Sequence, residues 1–168
     1  NKITEVYAVA LDDAAAGVVA EGTFVIGGAA TADGTVVMYI GGTRITAAVS
    51  NLEAPTAIGD SIEAAINADT SLPVTANNVA GTITLTAKNL GESGNDIDIR
   101  VNYYDGEELP AGVTNVTTPM ASGATNPDLQ DIIDIWGDEW YNVISCPLND
   151  ATNLVAMETE LADRASYS

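Results

Sequence analysis

The sequence predicts an α+β chain: a mostly antiparallel, β-rich domain with one packed helix, followed by the start of an α/β sandwich domain. Three observations carry this reading. Hydrophobic residues make up 46% of the 168 residues but aromatics only 5%, so Ala, Val, Ile and Thr carry the apolar runs, a bias that suits strands and small, closely packed helices. Several runs alternate with a period of two between Gly-bearing turn pairs. Beyond about residue 121 the texture changes to helix, apolar β run, helix.

In chain order, Ile3 to Ala10 reads as a strand or an extended lead-in, and Asp12-Asp13 with the alanines after it reads as a loop or a short helical turn. Thr23–Ala30 is a strand. Thr35–Ile40 and Thr43–Val49 flank Gly41-Gly42, the two-residue loop of a tight hairpin. Thr56–Ala68 is the first helix. Thr56 caps it, Ile58, Ile62, Ala65 and Ile66 fall on one face, and Gly59 weakens its first turn. Pro73–Val79 and Thr82–Ala87 pair around Ala80-Gly81. In the second of these Ile83, Leu85 and Ala87 alternate with threonines, the mark of a strand wet on one face. Asn89–Asn95 is a loop. Ile97, Ile99, Val101 and Tyr103 then alternate with polar neighbours as a half-exposed strand, Asp105–Gly112 turns the chain, and Val113–Met120 closes the set.

The small, polar stretch Ala121–Pro127 is a domain boundary by composition. Asn126 caps a helix that has Pro127 at its first position, and Leu129, Ile132, Ile133 and Trp136 line one face. Tyr141–Cys146 is an apolar β run closed by Pro147. Asp150 opens another helix, with Leu154, Met157 and Leu161 on one side. The division is therefore a lead-in over 1–22, a β-rich domain over 23–122, and the beginning of an α/β domain over 123–168. That last part lacks partner strands for a parallel sheet, so it is truncated or completed by another chain. The missing initiator Met at Asn1 and the stop at Ser168 read as a piece cut from a longer polypeptide.

Charge excludes one class of partner. The net charge is −19, and the five basic residues (Lys2, Arg44, Lys88, Arg100, Arg164) are scattered, so nucleic-acid phosphates are repelled. No apolar run approaches the ~18 residues of a membrane span. Chemistry is scarce too. There is no histidine, and Cys146 is the one cysteine, so Ser-His-Asp, Cys-His and zinc arrangements built on this chain alone fail. Cys146 itself reads as a buried, inert thiol. No catalytic, cofactor-binding or metal residues are assigned.

Carboxylates are the abundant reactive type. Asp96 and Asp98 stand two apart on one predicted strand and so share a face, which suits either a solvated surface or Ca²⁺; no complete ligand loop surrounds them. Asp105-Gly106-Glu107-Glu108 reads as a turn by composition, with Ca²⁺ binding as the second reading. Gly91-Glu92-Ser93-Gly94-Asn95 lacks the Gly-Lys-Ser/Thr ending of a phosphate loop and precedes a strand. Trp136, Trp140 and Tyr141 form the densest aromatic patch, either core or contact surface.

Two segments together point to a family. The first is Gly81-Thr-Ile-Thr-Leu-Thr-Ala-Lys-Asn-Leu-Gly-Glu-Ser-Gly-Asn-Asp-Ile-Asp-Ile-Arg-Val-Asn-Tyr-Tyr104, running on to Leu109-Pro-Ala-Gly-Val113. The second is Gly123-Ala-Thr-Asn-Pro-Asp128 through Asp138-Glu-Trp-Tyr-Asn-Val-Ile-Ser-Cys-Pro147 to Asp150 and Leu161-Ala-Asp-Arg164. In order and spacing they resemble Mu-type contractile tail sheath proteins of bacteriophages, closely from Gly81 to Arg164 and more loosely from Thr23 to Ala80. The resemblance implies a non-enzymatic subunit that stacks in rings around an inner tail tube and contracts to drive genome delivery. It implies contacts with other copies of itself, the tail tube protein, and baseplate and tail terminator proteins. It also implies a place in the virion after assembly in the host cytoplasm.

In that family the β-rich domain corresponds to an outward-facing inserted domain. Without the later α/β part and the terminal arm, this piece is expected to stay monomeric or weakly associated. Expected interface residues cluster in the second segment: Leu129, Ile132, Trp136, Trp140, Tyr141, Leu154 and Leu161. The alternative reading is a carbohydrate- or receptor-binding β-module, which predicts that residues 20–122 bind a glycan or Ca²⁺ alone. A carboxylate-dependent hydrolase comes third, since it requires two acids paired in a cleft.

Overall fold

The computed structural model describes residues 6–137, 139 and 141–166. Its strands are β1 (Val19–Gly27), β2 (Gly34–Ile40), β3 (Thr43–Val49), β4 (Val74–Val79), β5 (Thr82–Leu90), β6 (Ile99–Val101) and β7 (Thr114–Ala121). The helices are α1 (Pro55–Ala68), α2 (Gln130–Trp136) and α3 (Ala151–Ser166), with a 3₁₀ turn at Glu92–Asp96. The chain is α+β, and every strand pair is antiparallel. The strands form two sheets where the sequence suggested one, in the orders β4-β5-β1-β7 and β3-β2-β6.

Both predicted hairpins form at the expected turns. Ile40 faces Thr43 across Gly41-Gly42, and Val79 faces Thr82 across Ala80-Gly81. Each loop carries two left-handed residues, with φ +55° and +83° in the first and +54° and +88° in the second. This backbone matches the twist of the flanking strands. Alternation then sends one face of each strand inward. Phe24, Met38, Ile40, Ile83 and Leu85 are fully buried, and the α1 stripe Ile58, Ile62 and Ile66 closes over them. Each such side chain contributes roughly 1.5–3 kcal/mol of burial.

Several expectations are corrected. Residues 6–10 form no strand, and residues 3–5 lie outside the described residues. The first strand starts at Val19, because Val19 already pairs with Leu90. Helix α1 has Ala54 as its N-cap and Pro55 at its start, with no side-chain cap, so Thr56 does not cap it. The strand expected over 97–103 shortens to β6, which pairs only with Met38–Ile40 of β2. It ends because Asn102 turns into the left-handed region at φ +50°. Asp96 belongs to the 3₁₀ turn, so it does not share a strand face with Asp98.

In the second segment α2 begins at Gln130, with Leu129 as its N-cap, so neither Asn126 nor Pro127 starts it. Tyr141–Cys146 forms no strand. A strand exists only through a paired neighbour, and among the described residues none lies alongside. Asp150 does open α3 as expected: its Oδ1 accepts from the backbone N–H of Asn153 at 3.1 Å.

Candidate functional site

The expected interface residues do not share one environment. Leu129 and Ile132 are buried with Ile133 in a small core separate from the main one; Leu11, Trp136, Cys146, Ala156 and Met157 pack against it. Tyr141 is half-buried, its ring 6.0 Å from Trp136 and edge-on to Tyr7 at 6.1 Å. Trp140 lies outside the described residues. Leu154 and Leu161 of α3 face outward at 52% and 46% exposure.

The face that α3 turns inward is mixed in polarity: Asn153, Ala156, Met157, Glu160 and Arg164. Asn153 is 3% exposed, and its carboxamide joins three elements. Its Oδ1 accepts from the backbone N–H of Leu129 at 2.8 Å, while Nδ2 donates to Pro127 O at 2.9 Å and Asp150 Oδ2 at 2.8 Å. At the other end Arg164 pairs with Glu160 at 2.6 Å, donates to Gly137 O at 2.7 Å and to Glu139 O, and lies over the Trp136 ring. It thereby satisfies carbonyls left free where α2 ends. These polar anchors decide the rotation of the helix, since a buried polar group without partners costs more than an exposed leucine.

The outer stripe of α3 is therefore apolar and wet. Leu154 and Leu161 stand two turns apart on it, Val155 follows Leu154 at 60% exposure, and Ile135 and Val143, elsewhere in the segment, are exposed at 71% and 85%. The arrangement offers contact area of the kind that marks interaction surfaces.

A joint links this segment to the sheets. Asn126 Oδ1 accepts from the backbone N–H of Glu92 at 2.7 Å, and its Nδ2 donates to Asp150 Oδ2 at 2.8 Å. Asn95 clamps Gly123 through both backbone groups, at 2.8 and 2.9 Å. The stretch that superficially suggests a phosphate loop is thus half of this joint. Asp150 is held below the usual carboxylate range, chiefly by its hydrogen bond from the Asn153 side chain, with the Asn153 backbone N–H and Asn126 adding to it. Nothing in the sequence pattern singled out Asn126, Asn153 or Arg164 for these roles, because each acts across elements.

The remaining candidates are placed as follows. Asp98 pairs with Arg100 at 2.5 Å, both half-exposed. Among the described residues no group of three or more His, Cys, Asp or Glu gathers around a possible metal position. Cys146 is half-buried beside the small core.

No family model matches the chain. It is similar to the Mu-like prophage FluMu tail sheath protein of Haemophilus influenzae, with 37% identity over 164 residues. The match takes in 98% of this chain, so the resemblance read closely over residues 81–164 and loosely over 23–80 extends over nearly all of it. The chain spans 34% of the length of that relative.

Proposed function

We propose that this chain is part of a structural subunit of a phage or prophage contractile tail sheath, polymerising around the tail tube and contracting to drive genome delivery. The observation that carries this reading is the 37% identity maintained over 98% of the chain. On this reading residues 23–122 are an outward-facing domain and residues 123–168 begin the α/β domain of the sheath wall. Its partners are other copies of the subunit, the tail tube protein, and the baseplate and terminator proteins, in virions assembled in the host cytoplasm. The role is structural, and contraction is a rigid-body switch between two packings of one subunit.

Within this reading the outer stripe of α3 is the contact surface: Leu154, Val155 and Leu161 lose their water when the wall assembles. The 3% exposure of Asn153 and the Arg164 clamp support it, because they fix which face stays free. The test uses the full-length parent expressed alone and viewed by negative-stain electron microscopy. Hollow striated tubes are expected from the wild type, and small particles from Leu154→Glu/Leu161→Glu. A parent that stays monomeric under all conditions would remove the sheath reading. Tubes from the double variant would remove only the assignment of the contact surface.

A further inference from the structure

The chain has few aromatic residues, yet three of its six tyrosines meet at one corner of the three-stranded sheet. Tyr103 and Tyr104 are 53% and 60% exposed on the turn after β6, and Tyr39 of β2 is buried beneath them. The rings stand edge to face, with centroids 5.0 Å apart for Tyr103–Tyr104, 5.4 Å for Tyr39–Tyr104 and 6.1 Å for Tyr39–Tyr103. Their orientation is fixed from below. Tyr39 donates its O–H to Glu107 Oε1 at 2.6 Å, Glu107 Oε2 accepts from the Tyr104 backbone N–H at 3.2 Å, and the Arg100 guanidinium lies 4.6 Å from the Tyr103 centroid. The turn is held at a conformational cost, since Asn102 has φ +50° and its buried carboxamide oxygen has no partner.

We infer that this corner is a binding patch for neutral sugar rings, independent of whether the chain belongs to a sheath. Preorganised, half-exposed tyrosine rings beside hydrogen-bonding forks suit a ligand with one apolar face and a rim of hydroxyls. Here the forks are Arg44 with Glu107 and Arg100 with Asp98, and each ion pair engages the arginine through Nε. Because both arginines already have carboxylate partners, the patch calls for no counter-charge. Asp105 and Glu108 on the same turn, and the net charge of −19, repel anionic polymers. Tyrosine and arginine are also the residue types favoured at protein contacts, and that occupant is the one the test must eliminate.

The experiment titrates the isotope-labelled chain with the uncharged hexasaccharides of glucose, mannose and N-acetylglucosamine, followed by amide chemical shifts. Saturable shifts confined to residues 37–45 and 98–108 are expected for at least one sugar, with a Kd on the order of 1 mM. Tyr103→Ala and Tyr104→Ala are each expected to weaken it about three- to tenfold while leaving the remaining spectrum unchanged. Absence of shifts with every sugar, or shifts centred elsewhere, overturns the proposal. So does loss of tubes from the full-length parent carrying Tyr103→Ala/Tyr104→Ala, which would make the patch a contact between copies.

Discussion

Gly59 sits inside α1, where glycine costs about 1 kcal/mol against alanine. Its place is explained by Asn78: a Cβ at position 59 would come within 2.4 Å of Asn78 Oδ1. That side chain is committed elsewhere, since it donates to Thr56 O and Asp60 and accepts from the Gly81 backbone. Gly59→Ala should therefore destabilise the chain by about 1–3 kcal/mol in urea denaturation despite its better helix propensity; a gain in stability would refute this account. Asp150 provides a pH-dependent case. Its folded-state pKa is depressed below 3.8, so its contribution is complete above the unfolded value and is lost as pH falls through the lower folded one. Asp150→Ala should cost about 0.5–2 kcal/mol at neutral pH, and the gap to wild type should close in acid below about pH 4. Asp150 was legible as the opening of α3 because Asn153 is three residues on, whereas the role of Asn78 was not, since Thr56 and Asp60 lie 22 and 18 residues away.

At the scale of elements, edge protection is as informative as the core. Strand β4 is the outer strand of its sheet, and α1 covers its free edge with side chains. Asn67 Oδ1 accepts from Ala76 N–H at 2.9 Å, Asn67 Nδ2 donates to Ala76 O at 2.8 Å, and Glu63 Oε2 accepts from Asn78 N–H at 2.7 Å. A row of open backbone groups would otherwise template pairing with another chain. Asn67→Ala should cost about 1–3 kcal/mol and raise aggregation measured by light scattering; unchanged stability and scattering would show that the clamp is idle. Helix α3 shows where periodicity misleads. Leu154, Met157 and Leu161 read as one side in the sequence, but the structure splits them: Met157 packs on the small core beside Asn153 and Arg164, and Leu154 and Leu161 stay exposed. The hairpins and α1 were legible because turn chemistry and a three-isoleucine stripe agree locally. The 141–146 run forms no strand, because an apolar run says nothing of whether a neighbouring strand pairs with it.

Over the whole molecule, burial is unequal. The sheets and α1 share a large continuous core, whereas the hydrophobic cluster of the helical segment buries only Leu129, Ile132 and Ile133 among the described residues. Opening free energy follows burial, so amides of β1 and β5 should exchange with deuterium far more slowly than those of α2 and α3. Equal protection across both would contradict the unequal cores. The α+β class, strand order along the chain and most of the main core were readable because alternation and turns encode them within a few residues. The second sheet and the joint through Asn126 depend on pairing at long range, which no window of sequence displays. One further consequence comes from the two-way bridge between Val18 and Ala124, whose backbone groups bond at 2.9 and 3.1 Å. The path into the sheets and the path out run side by side, so a short peptide could join them and new ends could be cut at Gly41-Gly42. Such a circular permutant would keep every strand pair while closing almost no additional loop, and its native fold would show that chain order along the backbone is a convenience of this architecture.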